Sequence, residues 1–137
     1  MHISGNDEAY YKPSTDTITM PEIGQFRSAN DYYSVAFHEA AHSTGHETRL
    51  KRNIGSSAFG SKSYSQEELI AEIAAAMLMN EVGIEIQETF ENSASYIKSW
   101  LSKLRDDKKM IVTASSAAQK AADLILDKQA NDQIEAL

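Results

Sequence analysis

The sequence predicts an α+β domain with a small β-sheet or hairpin near the N-terminus, a histidine-bearing helix, and a mainly helical C-terminal half. Short extended runs separated by turn residues occupy the first part of the chain, whereas apolar residues recur at helical spacing in the rest. The chain has 137 residues, of which 42% are hydrophobic and 24% charged, so it can bury one compact core. We expect one domain over residues 8–127, with flexible ends at 1–7 and 128–137.

The first extended runs are expected to pair as a β-hairpin. Residues 9–12 and 17–20 have strand-like composition, and the Pro-Ser-Thr-Asp segment between them favours a turn. Pro21 follows the second run and is expected to end it, because proline has no N–H to continue a strand ladder.

The first helix is predicted to cover about residues 32–44. Ser28, Asn30 or Asp31 can cap its start, and Gly45 is well placed to end it. Residues 53–63 are rich in glycine and serine and show no periodicity, which indicates a loop.

The second helix is predicted to cover about residues 66–80. Ser65 begins the pattern S-Q-E-E of a capping box, in which Glu68 would bond back to the Ser65 N–H. Apolar residues recur at helical spacing after it and are expected to face the core. Two further packing helices are expected, one starting at residue 92 or 93 and one at 113 or 115.

Composition narrows the possible functions. The chain has no cysteine, so any metal must be held by imidazole and carboxylate groups. A net charge of −7 disfavours broad binding to phosphate backbones, and the basic residues Arg49, Lys51 and Arg52 are interpreted as a solvated patch. The N-terminus lacks the features of a signal peptide, and no run approaches the ~20 apolar residues of a membrane span. We therefore expect a cytoplasmic protein.

The segment HEAAH at residues 38–42 is the strongest functional signal. On a helix, His38 and His42 lie on nearly the same face, about 40° apart, so both imidazoles can reach one ion. Glu39 is rotated by about 100° from His38 and is placed to act as a general base on a water molecule at the metal. This pattern predicts a zinc site, although such a donor set also accepts other divalent ions.

A catalytic zinc site also needs a third protein ligand. The spacing H-E-x-x-H-x-x-G-x-x-H would place a third histidine at position 48, which is Thr48, so His46 is only a possible ligand. Glu68 and Glu72 share one face of the second helix, and one could bind the metal while the other supports a ligand histidine. Glu67 is expected to point elsewhere.

The positions of Glu68, Tyr64 and His46 also allow a helix-capping role and a role in stabilising an oxyanion. A capping role for Glu68 would compete with a ligand role. Tyr64 and His46 stand close to the ends of the two helices, so either is a possible donor to an oxyanion.

The chain resembles the zincin-like metallopeptidase domain of ArdC-type antirestriction proteins, found on plasmids and conjugative elements. The likeness rests on an ordered set of segments over about residues 8–127: EAYYKPSTDTITMP, YYSVAFHEAAHSTGHETRL, FGSKSYSQEELIAEIAAAML, YIKSWLSKL and AAQKAADLIL. The resemblance implies a zincin fold, and likeness to the glutamate-zincins implies Glu68 as ligand and Glu72 as its supporter. The family's N-terminal single-stranded-DNA-binding domain has no counterpart here.

The predicted function is peptide-bond hydrolysis by metal-activated water, with Glu39 as the base and His38, His42 and Glu68 as ligands. The resemblance adds an expected role in protecting mobile DNA from restriction, with a peptide or protein substrate, a possible host restriction protein as partner, and DNA bound through a separate domain. The alternative is a non-hydrolytic module, in which the metal braces a surface that contacts DNA or a restriction protein.

Overall fold

The computed structural model describes residues 2–4, 7–55, 61–84, 91, 94–95, 97–99, 102 and 108–128. A sheet precedes the helices, which confirms the predicted α+β class. Along the chain, the elements are β1 (His2–Ser4), β2 (Tyr10–Lys12), β3 (Thr17–Pro21), a 3-10 helix (Ile23–Gln25), α1 (Ala29–Ser43), α2 (Lys62–Glu81) and α3 (Lys108–Ile125).

The sheet contains the predicted hairpin. Its strand order is β1-β3-β2, and β2 runs antiparallel to β3 with Tyr11 opposite Ile18. Asp16 closes the turn at a φ of 50°, a left-handed conformation that aspartate tolerates better than most residues. Within the described part of the chain, β2 is an edge strand.

Strand β1 extends the sheet beyond the predicted hairpin. It pairs in parallel with β3, whereas the sequence suggested only a flexible end at residues 1–7. Strand β1 has only three residues, which is too short for an alternating hydrophobic pattern to predict it from the sequence. Pro21 is the last residue of β3 and lies opposite Ser4, so the strand includes the proline expected to follow it. Its terminal position explains why the missing N–H is tolerated.

Helix α1 carries the HEAAH segment and is capped as expected. Ser28 is the N-cap, and its hydroxyl accepts a hydrogen bond from the Asp31 N–H at 3.1 Å. Because Ser28 rather than a later residue caps the helix, α1 begins three residues earlier than predicted. It ends at Ser43, just before Thr44 and Gly45.

The predicted capping box of the second helix is wrong. Ser61 caps α2, accepting a hydrogen bond from the Tyr64 N–H at 3.2 Å, and Ser65 is a buried residue of the helix. The helix therefore starts a full turn earlier than Ser65 suggested. Glu68 lies in the second turn of α2, so capping no longer competes for its carboxylate.

Helix α2 packs between α1 and α3, and this contact forms the core. Small side chains line it and allow the helices to approach closely. The buried cluster consists of Ala41, Leu69, Ile70, Ala71, Ala74, Ala114, Ala118 and Ala121. The predicted core face of the second helix is thus largely confirmed, with Ile73 and Met77 partly buried against the same cluster.

Most of the described residues in the C-terminal half are helical. Helix α3 begins at Lys108, several residues before the predicted start, and Thr113 is already inside it, donating to the Lys109 carbonyl at 2.9 Å. The described positions between 91 and 102 are helical, whereas Tyr96 and Trp100 of the predicted third helix lie outside the described residues. No described helix combines the length and apolar character needed to cross a membrane.

A polar network fixes the hairpin turn to the end of α1. Arg49 forms an ion pair with Asp16 and donates from Nε to the Ser43 carbonyl at 2.7 Å, while the Tyr11 hydroxyl donates to Asp16 at 2.7 Å. Hydrogen bonds from Arg49 and Tyr11 lower the pKa of Asp16 to about 2. Burial and the neighbouring Asp16 raise the pKa of Tyr11 to about 12. This network holds strand β2 beside the histidine helix.

Gly45 makes a close approach that a larger residue would block. A Cβ at this position would stand 2.7 Å from Ile54 Cγ1 and 3.0 Å from Arg52 Cζ. We expect Gly45→Ala to lower the free energy of unfolding by about 1–3 kcal/mol, because the following loop must shift. Chemical denaturation measures this change.

The matched control is Gly24→Ala, since a Cβ at that position has no described atom within 4 Å apart from those of its chain neighbours. We expect it to change stability by less than about 0.5 kcal/mol. Equal effects of the two substitutions would contradict the close approach at Gly45.

Candidate metal centre

Two packed helices bring the predicted metal-site residues together. His38 and His42 are one turn apart on α1, and Glu68 and Glu72 are one turn apart on α2. Because α1 packs directly against α2, the two pairs of side chains face each other. The spacing predicted each pair, and the resemblance implied that His38, His42 and Glu68 share one metal; in the structure the two pairs are in contact.

Three donor groups form a tight cluster. The Nε2 atoms of His38 and His42 are 3.1 Å apart, and the Glu68 carboxylate oxygens lie 3.2 Å from His38 Nε2 and 3.1 Å from His42 Nε2. A tetrahedral ion with bonds of about 2.0–2.1 Å separates its ligand atoms by roughly 3.4 Å. The three groups therefore fit one small divalent cation.

The electrostatics of the cluster also favour a cation. Burial lowers the pKa of His38, but hydrogen bonds to Glu68 and Glu72 outweigh burial and raise it to about 10. Burial would raise the pKa of Glu68, but the two imidazoles outweigh it and lower the pKa to about 2. Positive charge beside the Glu68 carboxylate thus stabilises it, and a divalent ion can supply that charge once the histidines are neutral ligands.

Glu72 contacts the far side of His38. Its Oε1 lies 3.1 Å from His38 Nδ1, so the ring can donate Nδ1–H to the carboxylate and keep Nε2 free for a ligand bond. This is the contact expected of an acid that orients a ligand histidine.

Glu39 lies beside the three-donor cluster without belonging to it. It is 9% exposed, lines the same cleft as the histidines, and interacts with the Tyr11 backbone. Burial is the main cause of a raised pKa for its carboxyl group. A raised pKa brings a carboxylate closer to the range in which it works as a general base near neutral pH.

The donor cluster opens into a cleft of about 920 Å³. Strand β2 contributes Tyr10 and Tyr11 to one wall, and α2 contributes Tyr64 to another. Burial, the charge of Glu68 and a hydrogen bond to it raise the pKa of the Tyr64 phenol, which stays a proton donor over the physiological range. Tyr64 therefore lies near Glu68, one of the three donor groups.

His46 does not join the cluster. Its Nδ1 lies 2.9 Å from the Thr48 hydroxyl and accepts from the Thr48 N–H at 3.2 Å. It lines a separate hollow with Pro13 and Glu47. The turn after α1 directs this side chain away from His38 and His42.

Two residues beside the site were misread from the sequence. Arg52 is 13% exposed and pairs with Glu67 at 2.8 Å, so it is not part of a solvated patch. Glu67 was expected to point elsewhere, yet its Oε1 lies 3.9 Å from His42 Nδ1. Their meeting depends on the path of the loop after Gly45, which no sequence periodicity reveals.

Comparison with known proteins identifies relatives of almost the whole chain. Residues 1–117 match the family model of the zincin-like metallopeptidases. The chain is 42% identical over 129 residues to the uncharacterized protein y4eC of Sinorhizobium fredii (strain NBRC 101917 / NGR234), covering 94% of this chain and 41% of that protein. It is 43% identical over 131 residues to the DNA primase TraC of Escherichia coli, covering 93% of this chain and 12% of that protein.

A solved structure shares the fold. The crystal structure of the antirestriction protein ArdC from plasmid R388 with Mn(II) bound is 47% identical and superposes with a TM-score of 0.75. The match covers 95% of this chain and 48% of that one. This chain therefore spans less than half the length of each of these three relatives.

Proposed function

Since the chain belongs to the zincin-like metallopeptidase family, we propose that it is a metal-dependent domain that hydrolyses peptide bonds. The observation that carries this proposal is the arrangement of His38, His42 and Glu68 around one small volume, with Glu39 buried in the same cleft. Zinc suits this donor set, and manganese is also compatible with it.

The residues of the cleft have distinct proposed roles. A bound divalent ion would lower the pKa of water and polarise a substrate carbonyl. Glu39 accepts the proton of the attacking water and returns it to the leaving amine. Tyr64 donates a hydrogen bond to the oxygen on which negative charge develops. Glu72 keeps His38 in the tautomer that leaves Nε2 available.

The shape of the cleft supports an extended peptide as substrate. Edge strand β2 forms one wall, and a strand edge can pair with an added peptide through backbone hydrogen bonds. Glu39 and Tyr11 both line this cleft, so a peptide paired with β2 would lie beside Glu39. This arrangement supports a peptide as the substrate of the proposed hydrolysis.

In the intact protein, we place this domain in antirestriction by a mobile element, acting in the cytoplasm. The likeness to ArdC and to the TraC primase supports this context. The proposed organisation is a metallopeptidase domain over residues 8–127, with DNA bound through a separate N-terminal domain. The proposed partner is a host restriction protein, as substrate or as target.

Removal of the metal tests the proposed function. Protein stripped with a chelator is expected to lose cleavage of a diverse peptide library, and Zn²⁺ or Mn²⁺ is expected to restore it. Mass spectrometry of the products measures cleavage, and circular dichroism checks that the stripped protein stays folded. Metal binding without cleavage of any peptide would contradict hydrolysis and favour the alternative of a metal-braced binding module.

A further inference from the structure

The two clustered histidines differ in their outer contacts. His38 Nδ1 lies 3.1 Å from Glu72, whereas His42 Nδ1 is buried and has no hydrogen-bond partner among the residues that the structure describes. Glu67 Oε1 stands 3.9 Å from it, which is an ion-pair distance but too long for a hydrogen bond. A buried ring nitrogen normally has a hydrogen-bond partner, so the missing hydrogen bond at His42 Nδ1 needs an explanation.

The Glu67 carboxylate is held in place by a guanidinium group. Arg52 donates to Glu67 from Nε at 2.9 and 3.2 Å and from Nη2 at 2.8 Å. Both side chains are largely buried, 13% and 16% exposed. Such a fork-shaped contact fixes the orientation of the carboxylate as well as its position.

Arg52 is itself anchored on the helix that carries His42. Its Nη1 donates to the Thr44 hydroxyl at 2.9 Å, and its Nη2 donates to the Ala41 carbonyl at 2.8 Å. Ala41 precedes His42 on α1, and Thr44 is the C-cap residue of the same helix. Arg52 therefore sets the distance between the His42 ring and the Glu67 carboxylate.

We propose that Glu67, held by Arg52, is a positioning residue that accepts a hydrogen bond from His42 Nδ1 when a metal is bound. A neutral imidazole that binds metal through Nε2 keeps its proton on Nδ1, and that proton needs an acceptor. A shift of about 1 Å by the ring would bring the 3.9 Å contact to hydrogen-bond length. Each candidate ligand histidine would then have its own carboxylate. This inference rests on the proposed metal site but not on hydrolysis.

Metal affinity of the Glu67→Gln variant is the first test. We expect Zn²⁺ affinity to fall by about 10–100-fold, as is typical when a ligand histidine loses its outer partner. Competition with a chromophoric chelator measures the affinity. The matched control is Glu81→Gln, which removes a carboxylate from the same helix where it pairs with Lys128 at 3.5 Å, and which should leave affinity unchanged.

A spectroscopic readout separates positioning from general stabilisation. In nitrogen-15 spectra of the Zn²⁺-loaded wild type, His42 should carry its proton on Nδ1. In Glu67→Gln the His42 Nδ1–H resonance should shift, while that of His38 stays in place because Glu72 is unchanged. Even if the variant fails to fold, an unprotonated His42 Nδ1 in the wild-type spectrum would overturn the proposal.

Three results would overturn the inference. They are equal Zn²⁺ affinity in Glu67→Gln and Glu81→Gln, an unprotonated His42 Nδ1 in the loaded wild type, and a wild type that binds no metal. The last would also remove the proposed metal site. A wild type that binds metal but cleaves no peptide would contradict hydrolysis alone and leave the role of Glu67 intact.

Discussion

Glu39→Gln is expected to lower the rate of peptide hydrolysis by about 10²–10⁴-fold, the usual contribution of a general base. The amide has nearly the same shape as the carboxylate but cannot accept the proton of the attacking water. Glu39 lies outside the cluster of His38, His42 and Glu68, so metal content should stay at the wild-type level. Rates on a cleaved peptide and metal content by mass spectrometry measure the two effects.

The control for this substitution is Glu47→Gln. Glu47 is an exposed acid beside His46, in the separate hollow, and its replacement should leave the rate unchanged. Full activity in Glu39→Gln would exclude Glu39 as the base. The proposed protection of mobile DNA can be compared between two variants. If Glu39→Gln protects as strongly as the wild type and His38→Ala does not protect, the metal serves a binding module rather than an enzyme.

The fold was predictable where local chemistry decides it. The hairpin was predicted because a Pro-Ser-Thr-Asp turn separates two strand-like runs, and α1 was predicted because Ser28 can cap it. The resemblance to ArdC-type zincin-like domains is confirmed by the family match and the shared fold. The start of α2 was misplaced because Ser61 and Ser65 both suit a cap, and tertiary burial of Ser65 selects the first.

The candidate site was predictable as two separate pairs. Spacing of four residues indicates that His38 and His42 share a face, and that Glu68 and Glu72 share another. Spacing cannot show that the two faces meet, which follows from the packing of α1 on α2. The Arg52–Glu67 pair could not be predicted from spacing, because it depends on the path of the loop that packs Arg52 and Ile54 against Gly45.

The four-residue spacing of Glu68 and Glu72 leaves their roles interchangeable, whereas their contacts do not. Glu68 reaches the Nε2 atoms of both histidines, at 3.2 and 3.1 Å, while Glu72 reaches Nδ1 of His38. Only Glu68 can therefore share an ion with both rings without moving either one. Its role as ligand and that of Glu72 as supporter stay predictions that metal binding can test.

Glu68→Gln is expected to lower metal affinity by more than about 100-fold, because it removes a ligand rather than an outer contact. Glu72→Gln should cost about 10–100-fold, since His38 keeps its ligand nitrogen but loses the group that orients it. His46→Ala should have no effect, because its ring bonds to Thr48 away from the cluster. Chelator competition on the three variants measures this order. A larger loss of metal affinity in Glu72→Gln than in Glu68→Gln would exchange the two roles. A loss of affinity in His46→Ala would mean that the loop after α1 rearranges to bring a third imidazole to the metal.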